Sequence, residues 1–190
     1  MRFSKLMIGV VLVLLVVALI TVPGAHAAGG LEGKTYFTTA NIWFEKPQRI
    51  YSTNYHKGAI LLLGEKVLVT AVSGKAIHFT GEDGANYTIA FMKNHHSQKT
   101  TVESYFNQYF SKQSPLLPGS PYQQLTADEK WHVKTGSIKI GMSKATVLMA
   151  YGYPPSHRTP SLKNSIWVYW VNRFVKKNVY FKDGRVYKIK

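Results

Sequence analysis

Nine consecutive residues, Ser114-Pro115-Leu116-Leu117-Pro118-Gly119-Ser120-Pro121-Tyr122, contain three prolines and a glycine. Prolines remove amide donors and fix the backbone, so neither a helix nor a central strand crosses this stretch. The chain is thereby divided into a β-rich part at 34–112, a linker at 113–125 and a second part at 126–190. With 190 residues, the chain is one ordinary domain or two small ones, which excludes a large multidomain enzyme. Hydrophobic residues are 45% of it, too many for disorder. Cysteine is absent, which excludes disulfides, thiolate zinc sites, a cysteine nucleophile and lipid attached through cysteine.

The first residues read as an export signal. Arg2 and Lys5 form a basic tip, residues 6–22 are an uncharged apolar run, and Ala25-His26-Ala27 supplies the small residues of a cleavage site. Cleavage between Ala27 and Ala28 gives a periplasmic or secreted protein. An uncleaved anchor is the competing reading, because the run is only slightly shorter than the roughly 20 residues that span a bilayer. In both cases the remainder lies outside the cytoplasm, so nucleic acid is not an expected partner despite a net charge of +15. That charge is uneven. Residues 28–129 hold 9 basic and 8 acidic groups, whereas 130–190 hold 13 basic groups and one acid, Asp183.

In the first part, strands are predicted at 35–39, 59–63, 66–72, 75–80 and 86–92, separated by Leu63-Gly64-Glu65, Ser73-Gly74 and the Gly81-Glu82-Asp83-Gly84 loop. Val67, Val69 and Ala71 alternate with Leu68, Thr70 and Val72, which makes one face apolar and the other half apolar. Short strands with tight turns favour a small barrel. The segment 34–92 resembles a bacterial SH3-like barrel in its strand spacing and its Gly64-x-x-Val67-x-Val69 run. Thr100-Thr101-Val102-Glu103 then reads as a capping box, with Val102, Tyr105, Phe106, Tyr109 and Phe110 on one helical stripe. That stripe either docks the helix on the barrel or forms an aromatic ligand platform.

The second part opens on the capping box Thr126-Ala127-Asp128-Glu129 and a helix that stops at Gly136. Ser143 caps a second helix carrying Val147, Leu148 and Tyr151, which ends at Gly152 with Pro154 and Pro155 behind it. Strands follow at 165–173, 176–182 and 185–189, the last two joined by Asp183-Gly184, a hairpin signal. The ordered set Thr126-Ala127-Asp128, Ile138-Lys139-Ile140-Gly141-Met142-Ser143-Lys144, Val147, Gly152-Tyr153-Pro154, Trp167-Val168-Tyr169, Arg173-Phe174, Val179-Tyr180-Phe181 and Asp183-Gly184-Arg185-Val186 resembles the SmpA/OmlA (BamE) family. The resemblance implies two helices on one face of a three-stranded antiparallel sheet, and a small non-enzymatic envelope protein; the best-known members are accessory lipoproteins of the machine that folds β-barrels into the outer membrane. This chain departs from them in lacking a lipobox cysteine and in carrying the extra N-terminal part. The expected fold is α+β, an SH3-like module followed by a BamE-like one.

Around Trp167 the strand is apolar on both faces, with Trp167, Tyr169 and Val171 pointing one way and Ile166, Val168 and Trp170 the other. If helices cover one side, the second is greasy in the middle and basic at its rim unless the first module packs there. The candidate interaction surface is Trp170, Arg173, Lys176, Lys177, Tyr180, Lys182 and Arg185, and its expected partner is an envelope protein, an anionic lipid or an anionic polymer, through peripheral membrane association where the partner is lipid. Arginines 158, 173 and 185 are the better anion-holding candidates, since a guanidinium makes two-point contacts with phosphate or carboxylate. No cofactor, metal or oligomeric state is implied.

The case for an enzyme is thin. His95-His96 is the only close histidine pair, and neighbours in an extended segment point to opposite sides. No H-E-x-x-H, G-x-S-x-G or phosphate-loop motif occurs. The rival to a binding scaffold is a cell-wall-binding or cell-wall-modifying protein whose Trp43, Tyr51, Tyr55 and Tyr87 stack on sugar rings.

Overall fold

A computed structural model describes residues 30–190; the expected export signal at 1–27 lies outside them. The chain is mixed α+β. Its first part contains β1 (Lys34–Thr38), β2 (Ile42–Phe44), β3 (Ile50–Tyr51), β4 (Ala59–Leu61), β5 (Lys66–Val72), β6 (Ala76–Gly81), β7 (Asn86–Ala90), α1 (Val102–Tyr109) and β8 (Phe110–Ser111). Six of these strands form a curled half-barrel in the order β3-β7-β6-β5-β1-β8, and β2 pairs with β4 beside it. In β5, Val67 and Val69 are buried while Leu68 and Thr70 are exposed, as alternation requires. A bulge between Val69 and Ala71 then shifts the register, so Val72 turns inward where strict alternation would place it outside.

Helix α1 begins one residue later than the sequence suggests. Thr101 is the cap and Ser104, not Glu103, completes the box, because the Thr100 hydroxyl bonds Ser97 instead. Val102, Tyr105, Phe106 and Tyr109 are buried against the sheet, with Phe106 edge-on to Tyr36 at 4.9 Å. The stripe is therefore core. Phe110 has left the helix and starts β8, pairing beside Thr38.

The proline-rich segment is a run of turns that closes on itself, with Leu117 N bonding Ser114 O, Ser120 N bonding Leu117 O and Gln123 N bonding Ser120 O. Leu116 lies over Gly64, and Tyr122 and Leu125 pack on the second core. Beyond it come α2 (Ala127–Thr135), α3 (Lys144–Tyr151), β9 (Ile166–Trp170), β10 (Lys176–Lys182) and β11 (Arg185–Ile189). Thr126 and Glu129 form the expected box on α2, and Ser143 caps α3. The antiparallel sheet β11-β10-β9 turns its Trp167, Tyr169, Val179, Phe181 and Val186 toward Val133, Val147 and Ala150 of the helices. Asp183 and Gly184 both have positive φ, as a tight type I′ turn needs.

The two parts are locked together through the C-terminal ends of α2 and α3. The last carbonyls of a helix have no partner within it, and here the first part supplies donors. The amide of Asn41, fully buried, donates to Val133 O at 2.7 Å and Ala150 O at 3.0 Å, while its Oδ1 accepts from Leu63 N at 2.8 Å. Asn41 N donates to Met149 O, and Asn54 Nδ2 and His56 Nε2 both reach Tyr151 O. Gly152 sits against Asn54 and Asn41 so closely that a β-carbon would collide with Asn54 Nδ2, and its φ is +73°. Tyr153 then packs on Tyr109 at 5.2 Å, and Pro154 and Pro155 are buried.

Candidate functional site

Among the described residues no layer covers the face of the β9–β11 sheet away from the helices except at its Trp170 end, where the His95 and His157 rings pack against the indole. This face is built by period-2 alternation from Ile166, Val168 and Trp170 on β9, from Lys176, Asn178, Tyr180 and Lys182 on β10, and from Arg185 on β11. Ile166 is 44% and Tyr187 53% exposed. A bulge beside Tyr180 brings both Tyr187 and Lys188 toward it, Tyr187 with ring centroids 6.2 Å apart and Lys188 with its ammonium 5.7 Å above the ring. Across the sheet the Lys176 ammonium stands 4.8 Å over the Trp170 ring. Lys176 and Lys188 are thus cations resting on aromatic faces, an arrangement that keeps charge and apolar area in one patch.

Of the seven residues singled out from sequence, Trp170, Lys176, Tyr180, Lys182 and Arg185 share this face. Lys177 does not. It pairs with Tyr169 on the covered side and donates to the Tyr151 hydroxyl at 2.9 Å, because its odd register places it opposite Lys176. Arg185 also spends one donor on Gly141 O at 2.9 Å. Arg173 lies at the tip of the β9–β10 connection, where Asn172 Oδ1 accepts from Phe174 N and Val175 N and holds the tip in a tight turn. Phe174 there is 82% exposed, the most exposed large apolar side chain among the described residues.

Both edges of this sheet are closed. Along β11, Val186 exchanges hydrogen bonds with Gly141 and Met142, and Lys144 N bonds Gly184 O. Along β9, Val168 N donates to Thr159 Oγ1 and Trp170 O accepts from His56 N. A partner therefore meets side chains on the open face rather than adding a strand.

A second concavity of about 210 Å³ lies in the first part, lined by Trp43, Phe44, Glu45, Lys46, Arg49, Tyr51, Tyr55 and Lys57. It gathers three of the four aromatic residues suggested for sugar stacking. The fourth, Tyr87, is core, stacked on Phe79 at 5.3 Å.

The histidines are anchors. Residues Lys93–His95 form a 3₁₀ turn rather than an extended segment, and His95 and His96 take separate hydroxyls, Thr53 Oγ1 at 3.1 Å and Ser52 Oγ at 2.8 Å. Ser52 Oγ also accepts from Met92 N, and the direction of its bond to His96 Nε2 follows the imidazole tautomer. A serine beside a histidine could in principle be a nucleophile, yet Ser52 is 2% exposed and no carboxylate among the described residues bonds His96. Burial lowers the His96 pKa to about 4. His157, not singled out from sequence, packs 5.1 Å from His95 and bonds its carbonyl oxygen, and both rings flank Trp170 at just over 6 Å. His56 stacks on Tyr151 at 3.6 Å and is likewise held near pKa 4 by burial, opposed by its carbonyl contacts.

In comparison with protein-family models, curated proteins and solved structures, nothing matches this chain.

Proposed function

We propose that this chain is an exported, non-enzymatic binding protein of the cell envelope, which docks an anionic surface through the open face of the β9–β11 sheet. The observation that carries this reading is the open part of that face, where Ile166, Tyr180, Tyr187 and the half-buried Trp170 mix with Lys176, Lys182, Arg185 and Lys188. Asp183 is the only carboxylate in residues 130–190, so little within that part neutralises the basic groups. An exposed mixed patch of this kind favours contact with a polyanion, and the dense positive charge steers its approach. Phe174, with the Arg173 guanidinium 5.3 Å over its ring, extends the patch past the end of the sheet.

Two further features support the architecture expected from sequence. Strands β5, β6 and β7 form a meander extended beyond β5 by β1 and then by β8 from beyond α1, which suits an SH3-like module. Two helices over one face of a three-stranded sheet suit a BamE-like one. The carboxylate-poor second part and the buried Ser52 favour binding over catalysis.

The test is retention on a polyglutamate column and co-sedimentation with phosphatidylglycerol vesicles across a salt series. Binding should weaken steeply once the Debye length drops below about 8 Å. The double variant Lys176→Glu, Lys182→Glu should bind on the order of tenfold more weakly to whichever probe is held. Retention that ignores both salt and the two reversals would overturn the docking reading.

A further inference from the structure

The cleft in the first part is a separate site, and we propose that it binds a single sugar ring bearing a carboxylate. Local sequence builds it. The turn after β2 closes with Arg49 N donating to Lys46 O at 3.0 Å, which brings Trp43 and Phe44 from β2 near Tyr51 of β3. Tyr51 and Tyr55 meet edge to face at 5.8 Å, so their ring faces are not stacked on one another. Half-buried aromatic rings with unstacked faces are suited to the apolar C–H face of a pyranose.

Charge narrows the ligand. Glu45 is the one acid in the lining, and Lys57 holds it at 2.8 Å. Lys46 and Arg49 form no ion pair among the described residues. The cleft therefore presents two uncommitted cations beside its rings, one of them a guanidinium able to grip a carboxylate at two points. Its volume of about 210 Å³ is below the roughly 300–1,000 Å³ of sites for drug-sized ligands, which limits it to about one ring. A neutral sugar would leave the cations idle, and a small carboxylate would leave the rings idle. The proposal rests on the export reading, which sets the cleft among extracellular polymers, but not on docking by the sheet.

Calorimetric titration of the protein with trigalacturonate, its methyl ester and acetate tests this. Trigalacturonate should bind, the ester on the order of tenfold more weakly, and acetate should not compete at equal concentration. Arg49→Gln, at an exposed position, and Tyr55→Ala should each weaken trigalacturonate on the order of tenfold. Tyr55→Phe should retain binding, which separates loss of the ring from loss of the fold. Lys176→Glu with Lys182→Glu should change nothing. Absence of trigalacturonate binding, equal competition by acetate, or a loss that follows the sheet variants instead of Arg49 would overturn the site. A protein that fails this titration yet still binds polyanions through the open face loses the cleft proposal alone. One that passes it and binds no polyanion loses the docking reading alone.

Discussion

At the scale of single residues, the joint between the two parts depends on Asn41. Its amide group serves two helix-end carbonyls and one backbone N–H, all of them on buried residues. Asn41→Ala should therefore cost about 3 kcal/mol in denaturant unfolding, since each unsatisfied buried group costs about 1–3 kcal/mol. Asn41→Asp should be worse, because a carboxylate would face Val133 O and Ala150 O with no proton to donate. His56 makes the joint sensitive to acid. Its pKa is lowered from 6.5 to about 4 in the folded protein, so the unfolded chain binds more protons between those values and stability falls as pH drops through that window. The loss should approach about 3 kcal/mol near pH 4, and thermal melts of His56→Gln should show a shallower pH dependence. None of this was legible in the sequence. Asn41 and its acceptors are 92 and 109 residues apart, and no local pattern distinguishes a bridging asparagine from a turn asparagine.

At the scale of elements, what could be read was what local chemistry dictates. The Thr126–Glu129 box, the Ser143 cap, the Asp183-Gly184 turn and the alternation of β10 are each fixed by residues within a few positions, and each appears where expected. Strands β2, β3 and β8 escaped because two or three residues are too few to show a period, and pairing with distant strands creates them. The capping box of α1 slipped by one because two threonines are adjacent and the hydroxyl of Thr100 had another partner. The open face was legible in outline, but the bulge beside Tyr180 that brings in both Tyr187 and Lys188 was not. The two glycines flanking α3 separate conformation from crowding. Gly141 has φ +92° with nothing near its would-be side chain, whereas Gly152 has φ +73° and lies against Asn54. Gly141→Ala should cost about 1 kcal/mol from backbone strain alone. Gly152→Ala should cost clearly more in the same urea titration, because it also pushes the α3 end off the joint.

At the scale of the whole molecule, the proline-rich segment marks a change of architecture without separating the parts. Leu63 of the first part belongs to the second core, and the ends of α2 and α3 are completed by residues of the first. Urea unfolding should accordingly be one transition by both far-UV circular dichroism and tryptophan fluorescence, with two resolved transitions only after Asn41 is replaced. The joint fixes the helices on one side of the β9–β11 sheet and leaves the Ile166, Tyr180 and Tyr187 region of the other side exposed or half-exposed, and the proposed docking depends on that freedom. Hydroxyl-radical footprinting of the protein with and without polyglutamate tests it most directly. Tyr180 and Tyr187 should be labelled in the free protein, protected by polyglutamate at low salt and labelled again at high salt, while Tyr87 stays unlabelled throughout. Labelling of Tyr180 and Tyr187 that polyglutamate leaves unchanged, or their resistance to labelling in the free protein, would contradict a free docking face.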